Sequence, residues 1–479
     1  MLPDMLDEYV DEDNEVRFVD AFVDSLDLAK LGFRHAERYD SVFTSVGRPP
    51  FDPRDLLKLY VWGYLNQIRS SRKLERECHR NTELMWLLKK LAPNFWTISE
   101  FRKQNIDCIR KVFKDFVSLC VKLDLFGGEL VGIDGTKLKA VNSKDRNFSE
   151  SKIKDRLRRI EESTERYLSE VHKNDSDDEV EASRDSKNKL LCEKIEKLKT
   201  KKKDYELLLE KLKASGQGEI SLTDPDSRLM LTNQRHDVCY NLQASVDSKY
   251  HLIPVYSVTN SSSDRNQLSS MAKSTKETLG VQKLDVASDE GYFDAQEIKD
   301  CLENNITPFL PVPKERGMRT SAGSVPEPEF FRDKFVYNRP SDTYVCPAGH
   351  EMAFQNFVTD RYGKKMRIYG TGACGGCPLK PRCTTGKKGR TISRWEFEEV
   401  IEEMNLRART VEGSSKMLKR KELCEHPFGT VKRAFNQGYL HLKGLKKVTG
   451  EAGFTILAYN MRRAINILGA VTLSDSIHV

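Results

Sequence analysis

Apolar residues recur at helical spacing along the first quarter of the chain. Over residues 51–65 they return every three or four positions, Asp52 can cap a helix and Pro53 suits its first turn. Further helices are predicted at 70–79, at 83–91 and from a capping box formed by Thr97 and Glu100 onward. We therefore predict an all-helical domain over residues 20–126, which follows an acidic, flexible N-terminus at 1–19.

Strand-like segments begin after residue 126 and then alternate with helical ones. The predicted strands lie at 129–141, 238–246, 251–259, 284–288 and 307–312, and the predicted helices at 265–279 and 295–304. Such alternation predicts a multidomain α/β protein with helices on the faces of a sheet. We assign the sheet to residues 127–147 and 216–314, its C-terminal helices to 401–470 and a tail to 471–479.

Two insertions interrupt this pattern. Residues 148–215 are charged and helical, and their apolar positions form two seams. The seam positions are Ile153, Leu157 and Ile160, and later Leu191, Ile195, Leu198, Tyr205, Leu209 and Leu212. They predict an inserted coiled-coil helical hairpin. Residues 315–400 combine Gly, Pro and Cys with short strand-like runs, and predict a small Cys-rich β insertion.

Charge and apolar content narrow the class of protein. Of 479 residues, 79 are Lys or Arg and 72 are Asp or Glu, which gives a formal net charge of +7. The basic residues crowd into 69–80, 102–114 and 416–447, and this favours contacts with nucleic-acid phosphates. The apolar runs are too short to span a membrane, and the acidic N-terminus lacks the features of a secretory signal. We therefore expect a cytoplasmic protein without a membrane partner.

Basic residues of the N-terminal domain are candidates for DNA binding. Arg69, Arg72, Lys73 and Arg76 fall on or beside the helix predicted at 70–79. If they are exposed on successive short helices, they suit a helix-turn-helix reader of DNA. The alternative is a solvated face of a helical bundle.

The cysteines cluster at one place. Of the 11 cysteines, Cys374, Cys377 and Cys383 lie close together, and Cys346 precedes them by the length of a strand hairpin. The spacing of Cys374 and Cys377 lets both thiolates reach one metal, so the four predict a structural Zn²⁺ site, with His350 as a substitute ligand. Free buried thiols and an iron–sulfur cluster are the alternatives.

Two aspartates stand out because each follows an apolar strand. Asp134 is predicted to end the strand that contains 130–133, and Asp289 follows the strand at 284–288. Carboxylates at the carboxyl ends of adjacent strands meet in the crevice where open sheets bind ligands. Their oxygens suit Mg²⁺, and two such ions can promote in-line attack on a phosphodiester. The alternative is that each carboxylate caps a helix or pairs with a lysine.

Several short strings make a more specific pattern. They are DGTKLKAVNS at 134–143, LTDPDSRLM at 222–230, YNLQASVD at 240–247, ASDEGYF at 287–293, EHPFGTVKR at 425–433 and AYNMRR at 458–463. With GRPPFDPRDLLKLYVWGYLNQIRSSRKLERE at 47–77, they resemble the DDE transposases of bacterial insertion sequences. The resemblance runs from about residue 20 to about residue 468.

The resemblance implies a ribonuclease H-like mixed sheet in which Asp134, Asp289 and Glu425 bind two Mg²⁺ or Mn²⁺ ions. The basic residues expected to face DNA near this core are Lys432, Arg433, Lys421 and Arg228. Lys432 would lie near Glu425 on one helix face, two turns away, where it would contact a phosphate. The chain also departs from the family, since Leu418 and Lys421 stand where related enzymes often carry Tyr and Arg.

Glu425 has competitors for the role of third acid. Glu412, Glu422 and Glu451 lie nearby in the sequence. Pro427 favours Glu425, because proline is suited to a helix's first turn, where the helix dipole would stabilise an ionised glutamate.

The implied function is metal-dependent DNA cleavage at the ends of an insertion sequence, followed by joining to target DNA. The partners would be terminal inverted repeats, target DNA and a second copy of the chain in a paired-end complex. Two alternatives stay open: a metal-dependent nuclease that never joins strands, and a domesticated DNA-binding protein without catalysis.

Overall fold

A computed structural model describes residues 5–36, 50–176, 181–232, 235–311, 326–359, 363–434 and 438–477. Its N-terminal helices are α1 (Glu15–Asp24), α2 (Leu28–Leu31), α3 (Pro53–Leu65), α4 (Ser71–Cys78), α5 (Thr82–Leu87), α6 (Phe95–Asn105) and α7 (Ile109–Lys122). The Asp52 side chain accepts a hydrogen bond from the Arg54 N–H at 2.7 Å, so the predicted cap of α3 is confirmed. Every residue of α3 from Leu56 to Leu65 is buried, which places this helix inside the N-terminal core.

The start of α6 differs from the prediction. Its N-cap is Asn94, whose side chain accepts a hydrogen bond from the Thr97 N–H at 2.8 Å. Thr97 therefore lies in the first turn, and the capping box predicted for Thr97 and Glu100 is wrong. Asn and Thr both cap helices well, so residue type alone did not choose between the two starts.

Eight strands follow in the described residues, and six of them form a mixed sheet. They are β1 (Leu130–Lys139), β2 (Asn147–Ser149), β3 (Glu219–Ser221), β4 (Arg228–Thr232), β5 (Arg235–Asp247), β6 (Val255–Thr259), β7 (Leu284–Ala287) and β8 (Ile306–Phe309). The sheet has the order β4-β5-β1-β7-β8, and β6 also pairs with β5. β5 is antiparallel to β1, β4 and β6, whereas β1, β7 and β8 run parallel. β2 and β3 form a separate two-stranded sheet.

Helices follow the strands much as the sequence predicts. They are α8 (Glu150–Ser176), α9 (Glu181–Ser215), α10 (Leu268–Leu279) and α11 (Ala295–Glu303). α8 and α9 pack on each other between β2 and β3, around a small core of their own. Its buried residues are Phe148, Ile153, Leu208 and Leu212.

The Cys-rich segment forms a sheet of its own. Its strands are β9 (Val336–Asn338), β10 (Thr343–Val345), β11 (Glu351–Thr359), β12 (Lys365–Gly370) and β13 (Thr391–Trp395), in the order β13-β12-β11-β10-β9, with the short helix α12 (Lys380–Cys383) before β13. Its buried apolar core consists of Phe335, Tyr344, Met352, Tyr369 and Ile392.

The C-terminal helices join the N-terminal part to the central sheet. They are α13 (Glu398–Ala408), α14 (Val411–Gly429), α15 (Leu445–Leu468) and α16 (Ala470–Asp475). α15 packs against α3, α7 and β6, and the Phe454 ring stacks on Tyr60 and Tyr64 at centroid distances of 5.3 and 4.9 Å. One continuous hydrophobic core therefore runs from α1 through the sheet to α16. Within the described ranges, no helix is both long and apolar enough to cross a membrane.

Candidate active site

Asp134 lies in the middle of β1. The strand continues to Lys139, with Asp134 opposite Ala244 of β5, so the prediction that Asp134 ends its strand is wrong. The physical reason is the long antiparallel partner β5, which extends the pairing of β1 beyond the end of β7. Asp289 does follow the end of β7 closely, and it caps the short 3₁₀ turn Glu290–Tyr292.

The register of the parallel strands brings the two aspartates together. Gly132 lies opposite Ala287 in the last pair of β1 and β7, and Asp134 and Asp289 each follow this pair by two residues. Burial raises the pKa of the Asp134 carboxyl to about 6; the Gly135 N–H opposes this shift, and the charge of Asp289 adds to it. Two like charges at one sheet edge favour the approach of a cation.

One cation comes from helix α14. Arg420 Nη1 lies 3.1 Å from Asp134 Oδ2. α14 packs closely on β1, because a Cβ added at Gly132 would lie 2.8 Å from the Cys424 sulfur. The sequence did not single out Arg420. The arginine position of related enzymes falls on Lys421, one residue later, and nothing in the pattern showed which of the two faces the sheet.

Glu425 lies beside Cys424 on the same helix. Glu425 and Pro427 are near the C-terminal end of α14, so the prediction that Pro427 occupies its first turn is wrong, and the expected support from the helix dipole is lost. The Glu425 side chain is exposed. Burial raises the pKa of the Cys424 thiol, and the charges of Asp134, Asp289 and Glu425 all add to that shift. Cys424 thus packs against β1 at Gly132, and Glu425 is the next residue along α14.

Two competitors of Glu425 have other roles. Glu451 is fully buried in α15, and its carboxylate accepts hydrogen bonds from the backbone N–H groups of His441 and Leu442, each at 2.9 Å. Glu412 is exposed and forms an ion pair with Lys416. Glu451 is thus a structural residue of the core.

A further aspartate, which the sequence did not single out, lies beside the acids. Asp264 Oδ1 accepts hydrogen bonds from Lys137 Nζ at 3.0 Å, Asn241 Nδ2 at 2.6 Å and Gln243 Nε2 at 2.7 Å. The Tyr292 hydroxyl, in the turn after Asp289, donates to Gln243 Oε1. Asp264 belongs to the loop between β6 and α10, whose polar sequence carries no periodicity that marks a site.

The basic residues predicted on α14 and just beyond it are exposed. They are Lys421, Lys432 and Arg433. Lys432 and Arg433 lie in a π-helical turn, Thr430–Ala434, that continues α14. The change of pitch rotates Lys432 away from the position that an uninterrupted α-helix gives it relative to Glu425.

Arg69 and Arg228 contact the protein itself. Arg69 is 5% exposed, and its Nη1 donates to the Tyr439 carbonyl at 2.9 Å and lies 3.6 Å from Glu451 Oε1. The prediction that Arg69 is exposed on a DNA-reading helix is therefore wrong. Arg228 donates to the Pro225 carbonyl at 2.6 Å. By contrast, the residues predicted on α4, namely Arg72, Lys73 and Arg76, are all exposed.

The four predicted zinc ligands come together in the Cys-rich sheet. Cys346, Cys374, Cys377 and Cys383 line one small cavity together with His350. The Cys346 N–H donates to the His350 carbonyl at 2.9 Å, which folds this end of the cavity into a tight turn. Burial raises the pKa of the Cys383 thiol, and the other three cysteines add to the shift.

Neither cluster is a preformed metal cage. Among the residues that the structure describes, no three His, Cys, Asp or Glu side chains form a group that holds a metal ion as they stand. At the acids, protein groups contact carboxylate oxygens: Arg420 pairs with Asp134 Oδ2, and the Gly291 N–H donates to Asp289 Oδ1 at 2.9 Å.

Comparison with protein families gives two matches. Residues 4–104 match the family described as "Transposase domain (DUF772)", and residues 345–465 match the family described as "Transposase DDE domain". No curated protein and no solved structure matches the chain. The second match contains Glu425 and Lys432, whereas Asp134 and Asp289 lie between the two matched segments.

Proposed function

Since the chain belongs to the DDE transposases of insertion sequences, which cleave and join DNA strands, we propose that Asp134, Asp289 and Glu425 bind the divalent cations of this chemistry. One observation supports the proposal: β1 and β7 pair in parallel up to Gly132 and Ala287, and Asp134 and Asp289 each follow this last pair by two residues. α14 packs on β1, and in our proposal this packing lets Glu425 reach the two aspartates.

The chemistry of this donor set fits Mg²⁺ or Mn²⁺. All three side chains offer hard carboxylate oxygens, which these ions prefer. The acids also carry more negative charge than Arg420 alone balances, so a bound cation would relieve their repulsion. We propose two ions in each active site.

Arg420 and the Gly135 N–H orient the Asp134 carboxylate, and two exposed lysines contact the DNA in our proposal. When bound, two Mg²⁺ ions would help to form the nucleophile and stabilise the leaving oxygen. Arg420 holds one oxygen of Asp134, and the Gly135 N–H holds the other at 2.7 Å, so the carboxylate has a fixed plane. The exposed Lys421 and Lys432 are placed on either side of Glu425 in the chain, where they contact DNA phosphates in our proposal.

We propose that the central sheet is a ribonuclease H-like core. Three antiparallel strands, β6, β5 and β1, continue into the parallel strands β7 and β8, which supports this assignment. The boundaries predicted from the sequence also remain our proposal. In it the helical hairpin at 148–215 and the Cys-rich segment at 315–400 are insertions into that core.

The N-terminal helices are proposed to read the element's ends. Arg72, Lys73 and Arg76 are exposed on α4, which supports phosphate contacts there. Deleting these helices would uncover α15, so substitutions are the better test. The triple change to alanine should weaken binding to end DNA and flatten its salt dependence. Lys122→Ala, on an exposed residue in the last turn of α7 and outside the basic segments, is the control and should change binding little.

We also propose a structural Zn²⁺ in the Cys-rich sheet. The support is that the four cysteines line one cavity, while the apolar core beneath them has only five buried residues among those that the structure describes. Free thiols and an iron–sulfur cluster are the alternatives. Metal analysis and the visible spectrum of protein purified without oxygen separate them: about one zinc in a colourless chain supports the proposal, and iron with sulfide in a brown chain contradicts it.

The proposed reaction is tested with DNA that carries the element's ends. We expect Mg²⁺-dependent cleavage at those ends, and joining of the freed 3′ ends to a target plasmid by two copies of the chain acting together. The bacterial cytoplasm, which holds the DNA, is the proposed compartment. Cleavage without joined products would identify a nuclease, and specific binding without cleavage a domesticated DNA-binding protein.

A further inference from the structure

Asp264 uses its two carboxylate oxygens differently. Oδ1 accepts the three hydrogen bonds from Lys137, Asn241 and Gln243, whereas Oδ2 has one long contact with Lys137 Nζ, at 3.4 Å. Three donors therefore fix the orientation of the carboxylate through one oxygen. The second oxygen retains most of its capacity to bind another group.

The second oxygen lies on the side of Asp264 that is near Asp289. A Cβ added at Gly291 would lie 3.0 Å from Asp289 Oδ1 and 3.9 Å from Asp264 Oδ2, so both oxygens border the same point. On the other side, a Cβ added at Gly135 would lie 2.8 Å from Asp264 Oδ1. Asp264 thus lies between the residue that follows Asp134 and the turn that follows Asp289.

An unsatisfied amide oxygen lies on the Gly135 side of Asp264, next to the residue that follows Asp134. Asn241 is fully buried on β5, and its Oδ1 has no hydrogen-bond partner within the part of the chain that the structure describes. Its Nδ2 donates to Asp264 Oδ1 and, at 3.4 Å, to the Ser261 carbonyl, which fixes which end of the amide is the oxygen. That oxygen lies 3.0 Å from the Cβ position of Gly135. A buried acceptor without a donor is costly, and a bound cation or its water would satisfy it.

We propose that Asp264 is a fourth metal-binding carboxylate of the active site, with Oδ2 directed to the cation beside Asp289. The inference rests on the proposed function of Asp134 and Asp289. Lys137 and Gln243 act as positioning residues, because they hold Asp264 through Oδ1. Through Gln243 and the Tyr292 hydroxyl, Asp264 is also tied to the turn that carries Asp289.

The test is Mn²⁺ binding to the full-length chain without DNA, followed by electron paramagnetic resonance of the free ion. Asp264→Asn keeps an oxygen for the three donors but removes the charge, and we expect at least about a tenfold loss of Mn²⁺ affinity. The matched control is Asp285→Asn, on a half-buried aspartate of β7 that pairs with Lys416 at 2.6 Å. It should bind Mn²⁺ like the wild type.

A third variant, Asp134→Asn, changes a proposed metal ligand of the active site. It separates failure of this inference from failure of the proposed function. If Asp134→Asn loses Mn²⁺ affinity and Asp264→Asn does not, Asp264 is only structural and the inference is overturned. If neither Asp264→Asn nor Asp134→Asn loses Mn²⁺ affinity, the proposed function itself fails.

A second measurement uses the wild-type chain, in case Asp264→Asn does not fold. Fe²⁺ replaces Mn²⁺, and ascorbate with peroxide then cuts the backbone near the bound ion. We expect cuts in the loop at 260–267 as well as near Asp134 and Asp289. Cuts near the two aspartates without cuts in that loop would contradict the proposal.

Discussion

The proposed acid cluster, which consists of Asp134, Asp289 and Glu425, and the Cys-rich sheet place their polar side chains on hydrophobic cores of different size. Asp134 lies in the middle of β1 and Asp289 just after β7, in a sheet that shares one hydrophobic core with the N-terminal and C-terminal helices. The cysteines lie over a separate core in which the described part of the segment has only five buried apolar residues. A large core tolerates repulsion between carboxylates, whereas a small one needs a further source of stability.

This difference predicts opposite consequences for side-chain removal. In the acid cluster, losing a carboxylate should remove chemistry and leave the fold intact, because like charges repel each other there. In the Cys-rich sheet, losing a thiol should remove local structure first. The following predictions test that contrast, from the largest expected effect to the smallest.

Asp134→Asn should reduce DNA cleavage by at least about a thousandfold, because the carboxylate is a proposed metal ligand and metal ions stabilise the charge of the transition state by several kcal/mol. The same change should leave the thermal unfolding temperature unchanged or higher. Cleavage and calorimetry are measured on one preparation. A large drop in unfolding temperature would show that Asp134 holds the fold.

Cys374→Ser should unfold the Cys-rich sheet locally, since removing a zinc ligand removes binding free energy that the small core does not replace. Hydrogen exchange should show lost protection in β9 to β13, while α3 and α15 stay protected. The control is Cys192→Ser, on an exposed residue of α9. Full protection in the Cys374 variant would favour free thiols over a metal.

Glu451→Ala should destabilise the main body by about 3–5 kcal/mol, because it removes a buried carboxylate that pairs with Arg69 and accepts two backbone N–H groups. Urea unfolding measures the loss. We thus expect the Glu451 carboxylate to stabilise the fold, whereas we expect the Asp134 carboxylate not to. Unchanged stability together with lost cleavage would mean that Glu451 is the third catalytic acid.

Gly132→Ala should cost about 1–3 kcal/mol, since its Cβ would press on Cys424 and separate α14 from β1. Gly376→Ala, in the Cys-rich segment, is the control, because a Cβ there meets no atom within 4 Å. It should change stability by less than about 0.5 kcal/mol. Equal effects at both sites would argue against close packing of α14 on β1.

Much of the fold and part of the site follow from the sequence. The apolar periodicity predicted α3, the pairing of β5 with β6 and the alternation from α10 to β8, because each segment has the period of its own element. Periodicity does not report tertiary contacts. It therefore missed Arg420 and Asp264, which meet the acids only through the packing of α14 and the path of a polar loop. The errors at Thr97 and Pro427 have a related cause, since a residue that suits a helix start also occurs elsewhere in helices.

The central claim is most directly tested at Glu425, the acid that the strand register does not fix. Glu425→Gln keeps the shape of the side chain but removes its charge, and Glu422→Gln does the same for another exposed glutamate, three residues earlier on α14. Both variants are assayed for Mg²⁺-dependent cleavage and for binding of DNA that carries the element's ends. We expect Glu425→Gln to bind this DNA but not to cleave it, and Glu422→Gln to do both. Normal cleavage by Glu425→Gln would contradict the assignment of the three acids.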